Sequence, residues 1–232
     1  MPYQVSRNVL LRKISHQGSC PLYRNPIFAA SFTGLFKKGS ADSMSIEFLN
    51  RIGKFSSDDL ALFNEKAVFK EIQKGRVLLQ QGQVFQSVFF LVEGAFIQYN
   101  YIDEVEENII DLHLEGEWML NAQSFAGQAP SDTILQAHTD SKVYELHVHQ
   151  LHELIARSQA FLQLGKLLGS DGIRTHFFDN RLSPVEKYEY LLHTRSQLLR
   201  VFPLKMIASY LKMSPETLSR VREKLAKEKR LS

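Results

Sequence analysis

The stretch LKMIASYLKMSPETLSRVR, Leu204–Arg222, decides how this sequence is read. Ile207, Leu211, Met213, Leu218 and Val221 supply an apolar interior for two short helices, and Ala208 is small where they would cross. Ser214 is placed to cap the second helix, and Pro215 suits its first position. The pattern predicts a helix-turn-helix held at Ile207 to Val221. Glu216, Thr217, Ser219, Arg220 and Arg222 then fall near the start of the second helix, the end that enters a major groove. Arg220 can donate two hydrogen bonds to a guanine, and Glu216 can accept one from a cytosine amino group. Lys205, Lys212, Lys224, Lys227, Lys229 and Arg230 suit phosphates, which position a protein without reading sequence; Thr217 and Arg222 join that group. A helical pair with a solvated charged face has the same composition, but the agreement of pattern, capping and charge favours DNA.

Charge separates along the chain in the same sense. The formal net charge of +3 divides into +5 for residues 1–43, −8 for 44–182 and +6 for 183–232. A basic C-terminal module beside an acidic body implies a polyanionic partner for the former.

Immediately N-terminal to this module, Ser183-Pro184-Val185-Glu186 offers an N-cap, a proline at the first helical position and a capping-box glutamate, so a domain starts there. The preceding segment, roughly His149 to Arg181, reads as a long helix. Phe161, Leu164, Leu168, Asp171, Thr175, Phe178 and Leu182 recur at spacings of three and four, an imperfect heptad seam suited to a homodimer. Gly165, Gly169 and Gly172 cost helix propensity, though small residues also let backbones approach. Packing on the chain's own body is the other reading of this stripe.

Between Val68 and Val148 the texture is different. Runs at Val77–Leu79, Val88–Val92, Phe96–Tyr101, Ile109–Leu114, Thr133–Ala137 and Val143–Val148 are rich in β-formers, and Gly75, Gly82, Gly94 and Gly116 separate several of them. Short strands with turn signals at near-regular spacing predict an antiparallel barrel or jelly roll, hence an α+β fold. Before it, the acids Asp58 and Asp59 suit the start of a short helix from Ser57.

Residues 1–43 show no sustained period and read as a mobile arm, an over-called start or a small packed extension. A chain of 232 residues, 44% hydrophobic and 23% charged, can bury a core. Its single cysteine, Cys20, excludes an internal disulfide and a four-cysteine iron–sulfur site, and fits a reducing cytoplasm. No apolar stretch approaches the roughly 20 residues of a membrane span, so a membrane partner is not expected.

The order of parts, ending in Pro215-Glu216-Thr217-Leu218-Ser219-Arg220, resembles the Crp/Fnr family of bacterial regulators over about residues 46–226. The resemblance implies a sensor barrel of double-stranded β-helix type (44–150), a dimerisation helix (151–182) and a helix-turn-helix domain of winged-helix type (183–232). It implies that Glu216, Ser219 and Arg220 read bases in a palindrome with a TGA core, and that the homodimer regulates transcription with double-stranded DNA and RNA polymerase as partners.

Three positions depart from the family pattern. In the effector pocket, Gly116-Glu117 are followed by Leu120-Asn121 where a Gly-Glu pair should stand, and Pro130-Ser131-Asp132 occupy the place of the phosphate-gripping arginine. The pocket candidates are therefore Gly116, Glu117, Asn121, Ser131 and Asp132; cyclic AMP control is not expected, and an unknown small-molecule effector stays open. The turn position usually held by glycine is Lys212. Little or no chain follows the recognition helix to form a wing. A cyclic-nucleotide-responsive regulator with a divergent pocket is one alternative. A cupin-like metal-binding barrel using His147, His149 and His152 is another, although no cysteine or carboxylate trio accompanies them and no metal or other cofactor is expected. No nucleophile–base–acid set points to an enzyme.

Overall fold

The computed structural model describes Leu49 and residues 52–103, 106–178 and 182–231. The expectation for residues 1–43 lies outside them. Helix α1, Ser57–Lys66, begins with a capping box: Ser56 Oγ accepts from Asp59 N at 3.2 Å, and Asp59 Oδ2 accepts from Ser56 N at 2.8 Å. Eight strands follow, β1 (Val68–Ile72), β2 (Val77–Leu79), β3 (Ser87–Glu93), β4 (Ala95–Ile102), β5 (Glu106–Leu114), β6 (Trp118–Met119), β7 (Ile134–Ala137) and β8 (Ser141–His147). They form two antiparallel four-stranded sheets, ordered β1-β8-β3-β6 and β2-β7-β4-β5. The expected antiparallel β domain is therefore present. Gly94 alone joins β3 to β4, with φ +104° and no room for a side chain: a Cβ would stand 2.2 Å from Ser141 Oγ and 2.7 Å from the Asp140 carbonyl oxygen.

The main core lies between the sheets and includes Phe63, Leu91, Phe96, Met119, Leu135 and Val143. A second core forms on the outer face of β4. Side chains alternate along a strand, so Phe96 and Gln98 face one way while Ala95, Ile97 and Tyr99 face the other, and both sets are buried. The outward set packs with Ile109 and Leu112 of β5 against Tyr188, Leu191, Leu198, Phe202, Ile207 and Tyr210 of the C-terminal helices. Burying side chains of this size stabilises by about 1.5–3 kcal/mol each.

Helix α2 (Ala122–Gly127) lies between β6 and β7, and after the barrel come α3 (Val148–Arg157), a 3-10 helix over Gln159–Phe178, α4 (Pro184–Thr194), α5 (Leu198–Val201), α6 (Leu204–Tyr210) and α7 (Pro215–Leu231). Here the structure departs from the expected single dimerisation helix over 151–182. The chain breaks at Ser158, which is extended at φ −147° and ψ 123° and caps α3. Phe161 and Leu164, expected on a dimer seam, are 0% and 5% exposed within this chain, and the Phe161 ring lies 5.6 Å from that of Phe55. These two residues of the stripe pack into the chain's own core. Leu168 is exposed; the side chains of Thr175 and Phe178 lie outside the described residues. Among the described residues, no helix is long and apolar enough to cross a membrane.

Candidate nucleic-acid interface

The C-terminal module is built as its sequence dictates. Ser183 caps α4, accepting from Glu186 N at 3.3 Å while Glu186 Oε2 accepts from Ser183 N at 2.9 Å. Helices α6 and α7 pack through Ile207, Ala208, Leu211, Leu218 and Val221, all buried. Ser214 Oγ accepts from Thr217 N at 3.2 Å and so satisfies one donor at the start of α7. The turn passes through Lys212 at φ +56°, a left-handed conformation that suits the glycine usual at that position. Met213 N donates across it to the Ala208 carbonyl at 3.0 Å.

With one side of α7 committed to this packing, the opposite side carries Glu216, Ser219 and Arg220, all exposed, together with Arg222, Lys224 and Lys227. Thr217 is half-buried beside its cap, and Lys205 is exposed on α6. Hydrogen bonds from its own backbone and from Ser214 hold the Glu216 carboxyl below its ordinary pKa, so it is an acceptor at neutral pH. A donor-rich arginine and an ionised carboxylate on one exposed helical turn match the edges of bases in a major groove.

Lys212 is placed differently from the other cations. Its ammonium donates to Asn108 Oδ1 at 2.7 Å and to the Ile109 carbonyl at 2.5 Å, on strand β5. In this arrangement it serves an internal contact, where it was expected to meet phosphate. Burial, with help from the nearby Lys187 charge, pulls its pKa down to about 8. One residue set back in the same helix pair, Ser209 Oγ accepts from Ile109 N at 2.9 Å.

The effector-pocket candidates lie in a cassette, Gly116 to Thr133, that contains no lysine or arginine. Asn121 caps α2 by accepting from Ser124 N at 2.9 Å, and its Nδ2 donates to Ser131 Oγ at 2.9 Å and Thr133 Oγ1 at 3.1 Å. Ser131 also accepts from Thr133 N at 3.0 Å. These groups are buried and satisfy one another. Of the other pocket candidates, Asp132 is exposed and Gly116 makes the turn at φ +83°. Glu117 points elsewhere. Its two carboxylate oxygens each accept from Arg195 Nη2 at 2.8 Å.

Arg195, the C-cap of α4, was not foreseen. Its Nη1 donates to Asp111 Oδ1 at 3.2 Å and Tyr210 Oη at 2.9 Å, and its Nη2 also donates to the Leu112 carbonyl at 2.5 Å. Burial opposes its charge, but Glu117, Tyr210 and Asp111 outweigh that and hold its pKa well above the ordinary arginine value. Its barrel partners lie 78 to 84 residues away, so no local spacing marks them. The one available signal was β4, whose Ala95, Ile97 and Tyr99 are apolar on a face that would otherwise meet water.

His147 is the N-cap of α3, its Nδ1 accepting from His149 N at 3.3 Å, and the two rings stack at 5.1 Å. Among the described residues, no group of three or more His, Cys, Asp and Glu gathers to hold a metal.

Residues 69–158 match the family model described as the cyclic nucleotide-binding domain. No curated protein matches the sequence significantly. Solved structures similar to this one include FixK2 from Bradyrhizobium japonicum, 17% identical over 70% of this chain and 85% of that one, with a TM-score of 0.57. The c-di-GMP-responsive global regulator CLP of Xanthomonas campestris is 16% identical, covering 75% and 93%, at 0.56. A CooA mutant from Carboxydothermus hydrogenoformans is 16% identical, covering 79% and 84%, also at 0.56.

Proposed function

From a cyclic nucleotide-binding domain at 69–158, in a chain that has the fold of the Crp/Fnr regulators, we propose a sequence-specific DNA-binding transcription regulator that acts as a homodimer without cyclic AMP control. The observation that carries this reading is the face of α7, where Glu216, Ser219 and Arg220 are exposed and cations flank them. Two copies would set their α7 helices roughly 34 Å apart, one turn of DNA, on a palindrome. Acting on promoters makes RNA polymerase a partner and the cytoplasm the place of action.

The test is a fluorescence-anisotropy titration, at fixed salt and without added nucleotide, of a palindrome with TGA cores against a scrambled duplex of equal length. Tighter binding to the palindrome supports effector-independent reading. Equal binding to it and to duplexes recovered by random-sequence selection would sink the proposal. A second reading, control by a cyclic nucleotide, is favoured by the family match itself. Calorimetry with cyclic AMP and cyclic GMP separates the two, because heat above background would require the Asn121–Ser131–Thr133 network to open.

A further inference from the structure

The cassette and the reading module are joined by a connected series of polar side chains. Asn121 Nδ2 and Gln98 Nε2 both donate to Thr133 Oγ1, at 3.1 and 2.9 Å. Gln98 Oε1 lies 3.4 Å from His113 Nε2, and that same nitrogen is 3.4 Å from Asp111 Oδ2. Both neighbours are acceptors, so a proton on Nε2 would be directed at Gln98 Oε1 beside the Asp111 carboxylate, and the ring's Nδ1 lies 3.9 Å from Glu117 Oε2. Asp111 then accepts from Arg195, which holds Tyr210 at the end of α6.

Strand geometry explains why these groups line up. Gln98 on β4 is the direct partner of Asp111 on β5, and Phe96 is the partner of His113, so all four share one face of the sheet. An irregularity in register between Gln98 and Tyr99 pairs Tyr99 with Ile109 and leaves Ile110 as the extra residue. That bulge turns Ile109 outward to α6 while Asp111 stays inward. Asn121, Thr133, Gln98, His113, Asp111 and Tyr210 are all buried, and the Arg195 side chain is 17% exposed.

We propose that this series is a coupling element: the state of the sensor cassette sets how firmly the barrel holds α6, and so biases the helix-turn-helix in cis through β4 and β5. Buried polar networks have few alternative arrangements, because a member that loses a partner must find another or bear the desolvation cost. If Thr133 moves, Gln98 must turn its amide, His113 loses an acceptor, and Asp111 and Arg195 resettle against Tyr210. Thr133 is therefore a positioning residue. The consequence for gene regulation rests on the DNA-binding reading above, but the coupling does not.

The test is hydrogen–deuterium exchange of the full chain without DNA, comparing wild type with Thr133→Val, Thr133→Ser and Glu117→Gln. Thr133→Val should speed exchange across 204–211 by at least about threefold while β3 and β8 keep their protection. Thr133→Ser, which keeps the hydroxyl, should match wild type, and Glu117→Gln should speed the same segment. Unchanged exchange at 204–211 in Thr133→Val, equal acceleration in Thr133→Ser, or equal acceleration throughout the barrel would each overturn the coupling. Because DNA is absent, none of these outcomes judges the DNA reading, which the duplex titration decides separately.

Discussion

Arg195, at the end of α4, binds Glu117, at the barrel's Gly116 turn, with both carboxylate oxygens 2.8 Å from one guanidinium nitrogen. The same guanidinium meets Asp111, which is 1% exposed. Removing it with Arg195→Met leaves a buried carboxylate behind, a change that costs about 3–5 kcal/mol. Urea unfolding of the variant should show that loss; a midpoint equal to wild type would mean the clasp is energetically idle.

On DNA, Arg220→Ala and Lys227→Ala should behave differently. On the proposed reading the first removes a base contact, which should cost about 1–3 kcal/mol of discrimination between the palindrome and scrambled duplexes. The second should weaken both duplexes alike and lower the salt slope by about one. Parallel losses on both duplexes for both variants would contradict these roles.

Lys212 gives a pH dependence whose sign follows from its position. Burial lowers its pKa to about 8 in the folded chain, while the unfolded chain keeps the ordinary value of roughly 10.4. Between these values the unfolded state binds more protons, so stability rises with pH through that window and the gain is lost as pH falls through about 8. Urea midpoints from pH 7 to 10 should therefore rise more for wild type than for Lys212→Met. Parallel curves would show that Lys212 titrates normally.

Cyclic AMP should leave the thermal midpoint where it is. A ligand present at a hundred times its dissociation constant adds about 2.7 kcal/mol to stability, a shift easily seen by calorimetry. Such a shift would return the cyclic-nucleotide reading to first place.

Phe161→Ala should destabilise the chain by about 3–5 kcal/mol, since the ring is fully buried beside Phe55. Sedimentation of the variant should match wild type. A stable variant that instead becomes monomeric would restore Phe161 to a dimer seam.

The sequence by itself determined the parts that rest on local periodicity and capping. Alternating β-formers and turn glycines marked six of the eight strands, whereas β1, exposed at four of its five residues, the two-residue β6 and the short α2 carry too little pattern to be seen. Ser183, Ser214 and Pro215 marked helix starts because a cap is satisfied within three residues of itself. The exposure of Glu216, Ser219 and Arg220 was legible because the apolar residues of α7 fix which side remains for solvent.

Tertiary structure alone decided what those parts do to one another. The apolar period of Phe161 and Leu164 does not name a partner, and only the fold shows both buried in the chain's own core, with Phe161 beside Phe55. Lys212 looked like any basic residue near DNA until β5 supplied Asn108 and Ile109. Arg195, Asp111, His113 and Gln98 sit on separate elements, and neither propensity nor spacing records that they meet. Their juxtaposition depends on strand pairing, on one bulge in β5 and on the burial of β4 from both sides, which are properties of the packed chain.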